Sequence, residues 1–241
     1  MTYEIEDLVL EISDPHNALP LGTGRNLSRS VASVEVLQLI GGFADANWVL
    51  KHAPSLAPYR EDDGEFWGAY GARIGDQLNE VVTKLRNFKD TRQAVITLWN
   101  PVKESVPGKR DYPCTIAIGF TIRSDRLNMR VTMRSNDAWL GLPYDMFQFA
   151  QLQLTIAQLL DVPTGTYTHT AWSMHLYARD LERSYDVTDR SVSDEVQPVG
   201  LASRHYSIDY TRRLAHDIAY GHANEDLLND SERWFYNALH G

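Results

Sequence analysis

Cysteine is nearly absent from these 241 residues: Cys114 is the only one. A lone thiol excludes an intramolecular disulfide, and by itself it cannot build a thiolate metal site. It leaves two roles, a small buried hydrophobe or a nucleophile. Long apolar runs are missing as well, so no segment approaches a bilayer span and no membrane partner is expected. Basic residues are in deficit: 23 Lys and Arg against 32 Asp and Glu give a formal charge of −9. That balance argues against a broad nucleic-acid surface, which needs a basic face, but leaves room for a local anion site of a few arginines. The first residues, Met-Thr-Tyr-Glu-Ile-Glu-Asp, lack the basic-then-apolar order of a signal peptide. The expectation is therefore an intracellular, cytoplasmic protein. Neither an internal repeat nor a low-complexity linker divides the chain, and its length suits a single domain over residues 1–241.

What is present reads as α+β. Ser30 to Ile40 is an apolar stretch stopped by Gly41-Gly42, which predicts a buried helix. Gly68 to Gly71 suggests a tight connection. Ile74, Leu78, Val81, Val82 and Leu85 recur at helical spacing, predicting an amphipathic helix over 73–87. Arg92–Trp99 is β-rich and is expected as a central strand, followed by a strand over Thr115–Ile122. Leu127, Met129, Val131 and Met133 alternate with Asn128, Arg130, Thr132 and Arg134, the period of a half-buried strand. Residues 146–160 predict an apolar helix, Thr166–Tyr177 a further strand, and the chain turns helical from about residue 207. The sum is a mixed sheet carrying long helices on one face.

Several short motifs stand around the thiol: Gly68-Ala-Tyr-Gly, Asp90-Thr-Arg-Gln, Pro113-Cys114, Arg134-Ser-Asn-Asp-Ala-Trp-Leu-Gly-Leu-Pro-Tyr-Asp145, and His175-Leu-Tyr177. Together they resemble thymidylate synthase and its relatives, the pyrimidine nucleotide hydroxymethylases, most clearly from Gly64 to Tyr177. The Arg-Ser-x-Asp-x-x-Leu-Gly-Leu-Pro stretch with a cysteine upstream is the specific part. The resemblance implies a sheet with helices on one face and a dimer interface on the other. It implies a pyrimidine nucleoside monophosphate as substrate and 5,10-methylenetetrahydrofolate as co-substrate, with no metal.

It also implies roles. Cys114 adds to C6 of the pyrimidine, making C5 a nucleophile toward the one-carbon unit. Arg134 lowers the thiol pKa and binds phosphate, with Ser135 beside it. Glu35 moves protons through ordered water, and Tyr70 lies near the cysteine. His175 and Tyr177 hold the sugar hydroxyl. Asp137 contacts the pterin, and Leu140, Gly141 and Tyr144 belong to the same folate-facing stretch. Arg92 would reach the phosphate site of the partner in a homodimer, and Arg25 is the nearest candidate for an early phosphate arginine.

Asp145 bears on the base. Thymidylate synthases carry asparagine here, whose amide donates to uracil O4 and accepts from N3–H. An ionised aspartate only accepts, which suits the 4-amino group and protonated N3 of cytosine. The same aspartate occurs in deoxycytidylate hydroxymethylases, where water captures the methylene intermediate. The reading is thus 5-hydroxymethylation of a cytidine monophosphate, dCMP over CMP. Thymidylate synthase or dUMP hydroxymethylase chemistry, and a non-catalytic nucleotide-binding protein, stand as alternatives. Each residue also has a plainer role: Asp145 as a helix cap, His175 as a core histidine, Arg92 and Arg134 as surface strand residues, and Trp67, Trp139 and Trp172 as core or pocket wall. The chain departs from the family at Gln93, where a second arginine is usual, at Thr115, where histidine usually follows the nucleophile, and at Leu56, which stands where a folate-packing tryptophan does. After about Asp180 no family tail is recognisable.

Overall fold

The computed structural model describes residues 1–19, 25–187 and 197–241; residues 22–24, ahead of Arg25, lie outside them. In chain order the principal elements are β1 (Thr2–Ile12), α1 (Arg29–Gly41), α2 (Ala46–His52), α3 (Tyr70–Ile74), α4 (Gln77–Asn87), β2 (Ala94–Thr97) and α5 (Pro101–Glu104). There follow β3 (Thr115–Arg123), β4 (Arg126–Met133), β5 (Asn136–Asp137), α6 (Gly141–Leu160), β6 (Thr164–Tyr177), α7 (Leu181–Tyr185), α8 (Ile208–Tyr220) and α9 (Asp230–His240). The sheet runs β1-β6-β4-β3-β2, antiparallel except that β6 lies parallel to β4 and to the short β5. The architecture is α+β, as expected.

α6 is buried along almost its whole length, Phe147, Phe149, Leu152 and Ile156 among its fully covered residues, because it lies between the sheet and α1. The inner sheet face meets it through Leu127, Met129, Val131 and Met133, the alternation legible in β4. α1 begins at a Ser28 cap that accepts from the Val31 N–H, and it ends where Gly42 turns left-handed at φ 72°.

Three local expectations need correction, and one strand was not anticipated. The helix over 73–87 is two helices, because Gly75 at φ 43°, ψ −135° breaks the run in a conformation that favours glycine. The strand around 92–99 is shorter and sits at the edge of the sheet, where among the described residues it pairs with β3 alone; its β-rich composition does not distinguish edge from centre. β1 was not visible in the sequence: it is an edge strand, its residues largely exposed, pairing Ile12 with Tyr167 and Thr2 with Tyr177. Trp172 is neither core nor pocket wall but 53% exposed on the outer sheet face.

Candidate functional site

The site gathers at one end of the sheet. β3 starts immediately after Cys114, and the β4 chain leaves the sheet at Arg134, whose N–H donates to the Cys114 carbonyl at 2.8 Å. The Arg134 guanidinium then closes over the Pro-Cys turn. Its Nε donates to Pro113 O at 3.0 Å, and Nη2 donates to Tyr112 O at 3.1 Å while lying 3.8 Å from Cys114 Sγ. A cavity of about 180 Å³ opens beside the thiol. Glu35, Gln38, Tyr70, Asp111, Cys114, Asp145 and Gln148 supply its polar lining, with Val49, Leu56, Tyr59 and Phe66 as an apolar wall.

Of the residues anticipated from sequence, Cys114, Glu35, Tyr70 and Asp145 lie together in this cavity, with Arg134 against the thiol. Asp145 does not cap α6, which begins four residues earlier at Gly141. It sits buried in the first turns, and both its oxygens accept hydrogen bonds: Oδ2 from Asn136 Nδ2 at 2.6 Å and Oδ1 from Gln148 Nε2 at 3.0 Å. Gln148 Nε2 also reaches Glu35 Oε2 at 3.3 Å, tying the two carboxyls through one amide. The Tyr70 hydroxyl accepts from the Thr115 N–H at 3.1 Å and from Thr115 Oγ1 at 2.9 Å.

Ser135 and His175 pair at 3.3 Å between Oγ and Nδ1, and the His175 ring meets Tyr177 edge-on, so His175 is a half-buried polar contact rather than a core residue. The core histidine of this strand is His169. Around the start of α6, Asp137 accepts from the Trp139 N–H, and Arg25 Nη1 donates to the Ala138 and Trp139 carbonyls. Tyr144 accepts from the Ser28 N–H through its hydroxyl. Leu140 is exposed just before Gly141. Arg92 is exposed ahead of β2 and outside the cavity lining.

Electrostatics depart from expectation at the thiol. Burial pushes Cys114 up to about 11; Arg134 pulls it down, but less than burial raises it, and Asp145 and Asp111 add to the rise. Burial likewise lifts Glu35 well above the carboxylate range, with the Asp145 charge adding to it. Asp145 is pushed up to about 7 by burial, against the opposing hydrogen bonds from Asn136 and Gln148, while Asp137 raises it further. The rise favours the protonated form of Glu35, and Asp145 sits near the balance between acid and carboxylate at neutral pH. A thiol, an arginine and two carboxyls raised by burial around one small cavity can add a nucleophile to a planar ring and move its protons.

Sequence reasoning passed over Asn136, Gln148, Gln38 and Asp111. Asn136 was the variable position of the Arg-Ser-x-Asp motif. Gln148 lies three residues after Asp145, on the same face of one helix, and that spacing was the available signal. Among the described residues no helix is long and apolar enough to cross a membrane.

Known proteins are similar to this chain in sequence and in fold. A deoxyuridylate hydroxymethyltransferase of Bacillus phage SP01 is 29% identical over 195 residues, 73% of this chain and 51% of that protein. Another of the same description, from Pseudomonas phage M6, is 29% identical over 163 residues, 65% of this chain and 46% of that protein. The chain thus spans about half the length of the curated relatives it matches. Among solved structures, a thermostable thymidylate synthase A from Bacillus subtilis superposes with a TM-score of 0.72 at 21% identity, covering 87% of this chain and 80% of that one. The thymidylate synthase of T4 phage gives 0.73 at 19% identity, covering 88% and 82%. The thymidylate synthase family model matches residues 2–212, a span that holds Cys114, Arg134 and every residue lining the cavity. The chain belongs to the thymidylate synthase family.

Proposed function

We propose that this chain transfers a one-carbon unit from 5,10-methylenetetrahydrofolate to C5 of a cytidine monophosphate, dCMP in preference to CMP, with water completing a 5-hydroxymethyl product. The observation that carries it is Asp145: two side-chain amides donate to its oxygens inside the pocket of the thiol. Donors on both oxygens favour the acceptor-only carboxylate, which pairs with the cytosine 4-amino group and protonated N3. Cys114 Sγ bonds to C6 as its proton leaves, and C5 becomes the carbon nucleophile. Glu35 supplies and takes back protons on the base. C5 bonds to the one-carbon unit, a base takes the C5 proton, and the electron pair of that C–H bond forms an exocyclic methylene as the bond to nitrogen breaks and tetrahydrofolate leaves. Water oxygen bonds to that methylene as the water loses one proton to a base. The displaced electron pair re-forms C5=C6 and expels the Cys114 thiolate. Arg134 faces the substrate phosphate, Ser135 and His175 the sugar, and the wall of Val49, Leu56, Phe66 and Tyr59 suits a flat co-substrate.

The test is incubation with the folate and, separately, dCMP, CMP and dUMP, each product being weighed by mass spectrometry. A gain of CH2O on a cytidylate is expected; a gain of CH2 on dUMP alone overturns the reading. A second reading, hydroxymethylation of dUMP, is favoured by the activity named for both phage relatives and by the titration of Asp145 near 7. Protonated, Asp145 can donate to uracil O4. The two readings have opposite pH signs: cytidylate affinity should rise as pH climbs through 7, whereas dUMP affinity should fall.

A homodimer belongs to the same proposal, with Arg92 reaching the partner's phosphate site. The outer sheet face presents Val9, Val95 and Trp172 to solvent, apolar surface that a second copy would cover. Sedimentation should give twice the chain mass, and Trp172→Glu should give the monomer; a monomeric parent protein would refute the dimer.

A further inference from the structure

A buried hydrogen-bond chain runs from the middle of β6 to the base-reading carboxyl. Tyr167 and His169 are wholly buried and Asn136 is 3% exposed. The Tyr167 hydroxyl lies 2.7 Å from His169 Nδ1, His169 Nε2 lies 3.1 Å from Asn136 Oδ1, and Asn136 Nδ2 donates to Asp145 Oδ2 at 2.6 Å. We propose that Tyr167, His169 and Asn136 are positioning residues that hold Asp145 Oδ2 as a hydrogen-bond acceptor and thereby set which base the pocket takes. The proposal rests on the reading of Asp145 given above and extends it to residues that touch no substrate.

The chain has a direction. Burial lowers His169 to about 4, so its ring is neutral, with one donor and one acceptor nitrogen. An ionised Asp145 needs a donor at Oδ2, which turns the Asn136 amide nitrogen toward it and leaves Oδ1 to face His169. His169 must then carry its proton on Nε2, and its bare Nδ1 accepts from the Tyr167 hydroxyl. Every member is satisfied in that order. The reverse order needs a protonated Asp145, a turned Asn136 and a proton on Nδ1. The Tyr167 proton would then have no acceptor, since that hydroxyl makes no other hydrogen bond among the described residues. An unsatisfied buried hydroxyl is costly, so the forward order wins. The other groups around Asp145 are Glu35 from α1, Asp137 from β5, Tyr70 from α3 and Cys114 ahead of β3. The chain is the connection from Asp145 into the core.

The test measures dCMP and dUMP binding to the full protein by calorimetry from pH 5.5 to 8.5, an interval of about 1.5 units either side of Asp145. His169→Leu breaks the chain, whereas His169→Gln keeps a donor and an acceptor in the same order. In His169→Leu the pH midpoint of dCMP binding should rise by about one unit, with roughly tenfold less discrimination against dUMP. His169→Gln should restore much of both. Should His169→Leu not fold, Tyr167→Phe removes only the hydroxyl and should move the midpoint the same way by less. Equal weakening of both nucleotides with an unmoved midpoint would mean that the chain is packing alone. If Asp145→Asn leaves base preference unchanged, the reading of Asp145 has failed and this proposal falls with it. If Asp145→Asn changes preference while the His169 and Tyr167 variants do not, only the chain's role is refuted.

Discussion

Cys114→Ser should abolish hydroxymethyl transfer, by on the order of 10⁴-fold or more, while leaving nucleotide affinity within a few-fold. Arg134 and Asp145 both remain, so binding and chemistry separate in this variant. The loss follows from the attacking atom: sulfur is the stronger nucleophile and the better leaving group, and the reaction needs Sγ to add and then depart. Product mass spectrometry beside equilibrium binding makes the check. Residual turnover above about 1% would contradict covalent catalysis through this residue.

The raised thiol shapes how that addition must proceed. With Cys114 pushed up to about 11, roughly a thousandth of it is thiolate at pH 8, so the proposed addition draws little on a preformed anion. In the proposed mechanism the thiol proton leaves as the carbon–sulfur bond forms, and a nearby carboxylate would take it. Arg134 cannot do this alone. Two of its donors are fixed on the Pro113 and Tyr112 carbonyls, and the guanidinium stands 3.8 Å from sulfur. The clamp has a second effect: it locks the turn that aims Sγ into the cavity, an orientation gain that a surface cysteine would lack.

Much of this was legible before the structure. The alternation in β4 gave its inner face, because a pleated strand with one side covered leaves a period of two. The motif from Arg134 to Asp145 located residues that lie against Cys114 and in its cavity, and Gly41-Gly42 marked the end of α1. What stayed hidden is a matter of context. β1 is an exposed edge strand with charges at Glu4, Glu6, Asp7 and Glu11, so burial left little pattern on it. Gly75 sits inside a run with perfect helical spacing, and only its backbone angles reveal the break. The raised thiol depends on desolvation by groups far away in sequence, among them Asp145, thirty-one residues on. The chain Tyr167–His169–Asn136–Asp145 draws on β6, β5 and α6, which no local window brings together.

Asp145→Asn should turn the pocket from cytidylate toward dUMP, changing the ratio of the two turnover efficiencies by about a hundredfold or more. Aspartate offers only acceptors when ionised; an amide offers one donor to uracil O4 and one acceptor to N3–H. The pH signature should vanish with the carboxyl. In the parent protein dCMP turnover should climb as pH rises through 7, because the ionised form accepts the cytosine donors; in the variant dUMP turnover should lack that step. The substitution also carries a structural cost. Asn136 and Gln148 both donate to Asp145, but an amide keeps only one oxygen, so one buried donor meets an NH2 group instead. Leaving it unpaired costs about 1–3 kcal/mol, and turning Asn136 to relieve it would require His169 to move its proton to Nδ1. Lower thermal stability should therefore accompany the altered preference. Substituting Asn136 together with Asp145 by a residue that accepts from the new amide should recover part of that stability while keeping the dUMP preference. A full switch of base with no loss of stability would mean that the two amide donors contribute nothing to holding the carboxyl; an unchanged preference would mean that the base is read by some other group.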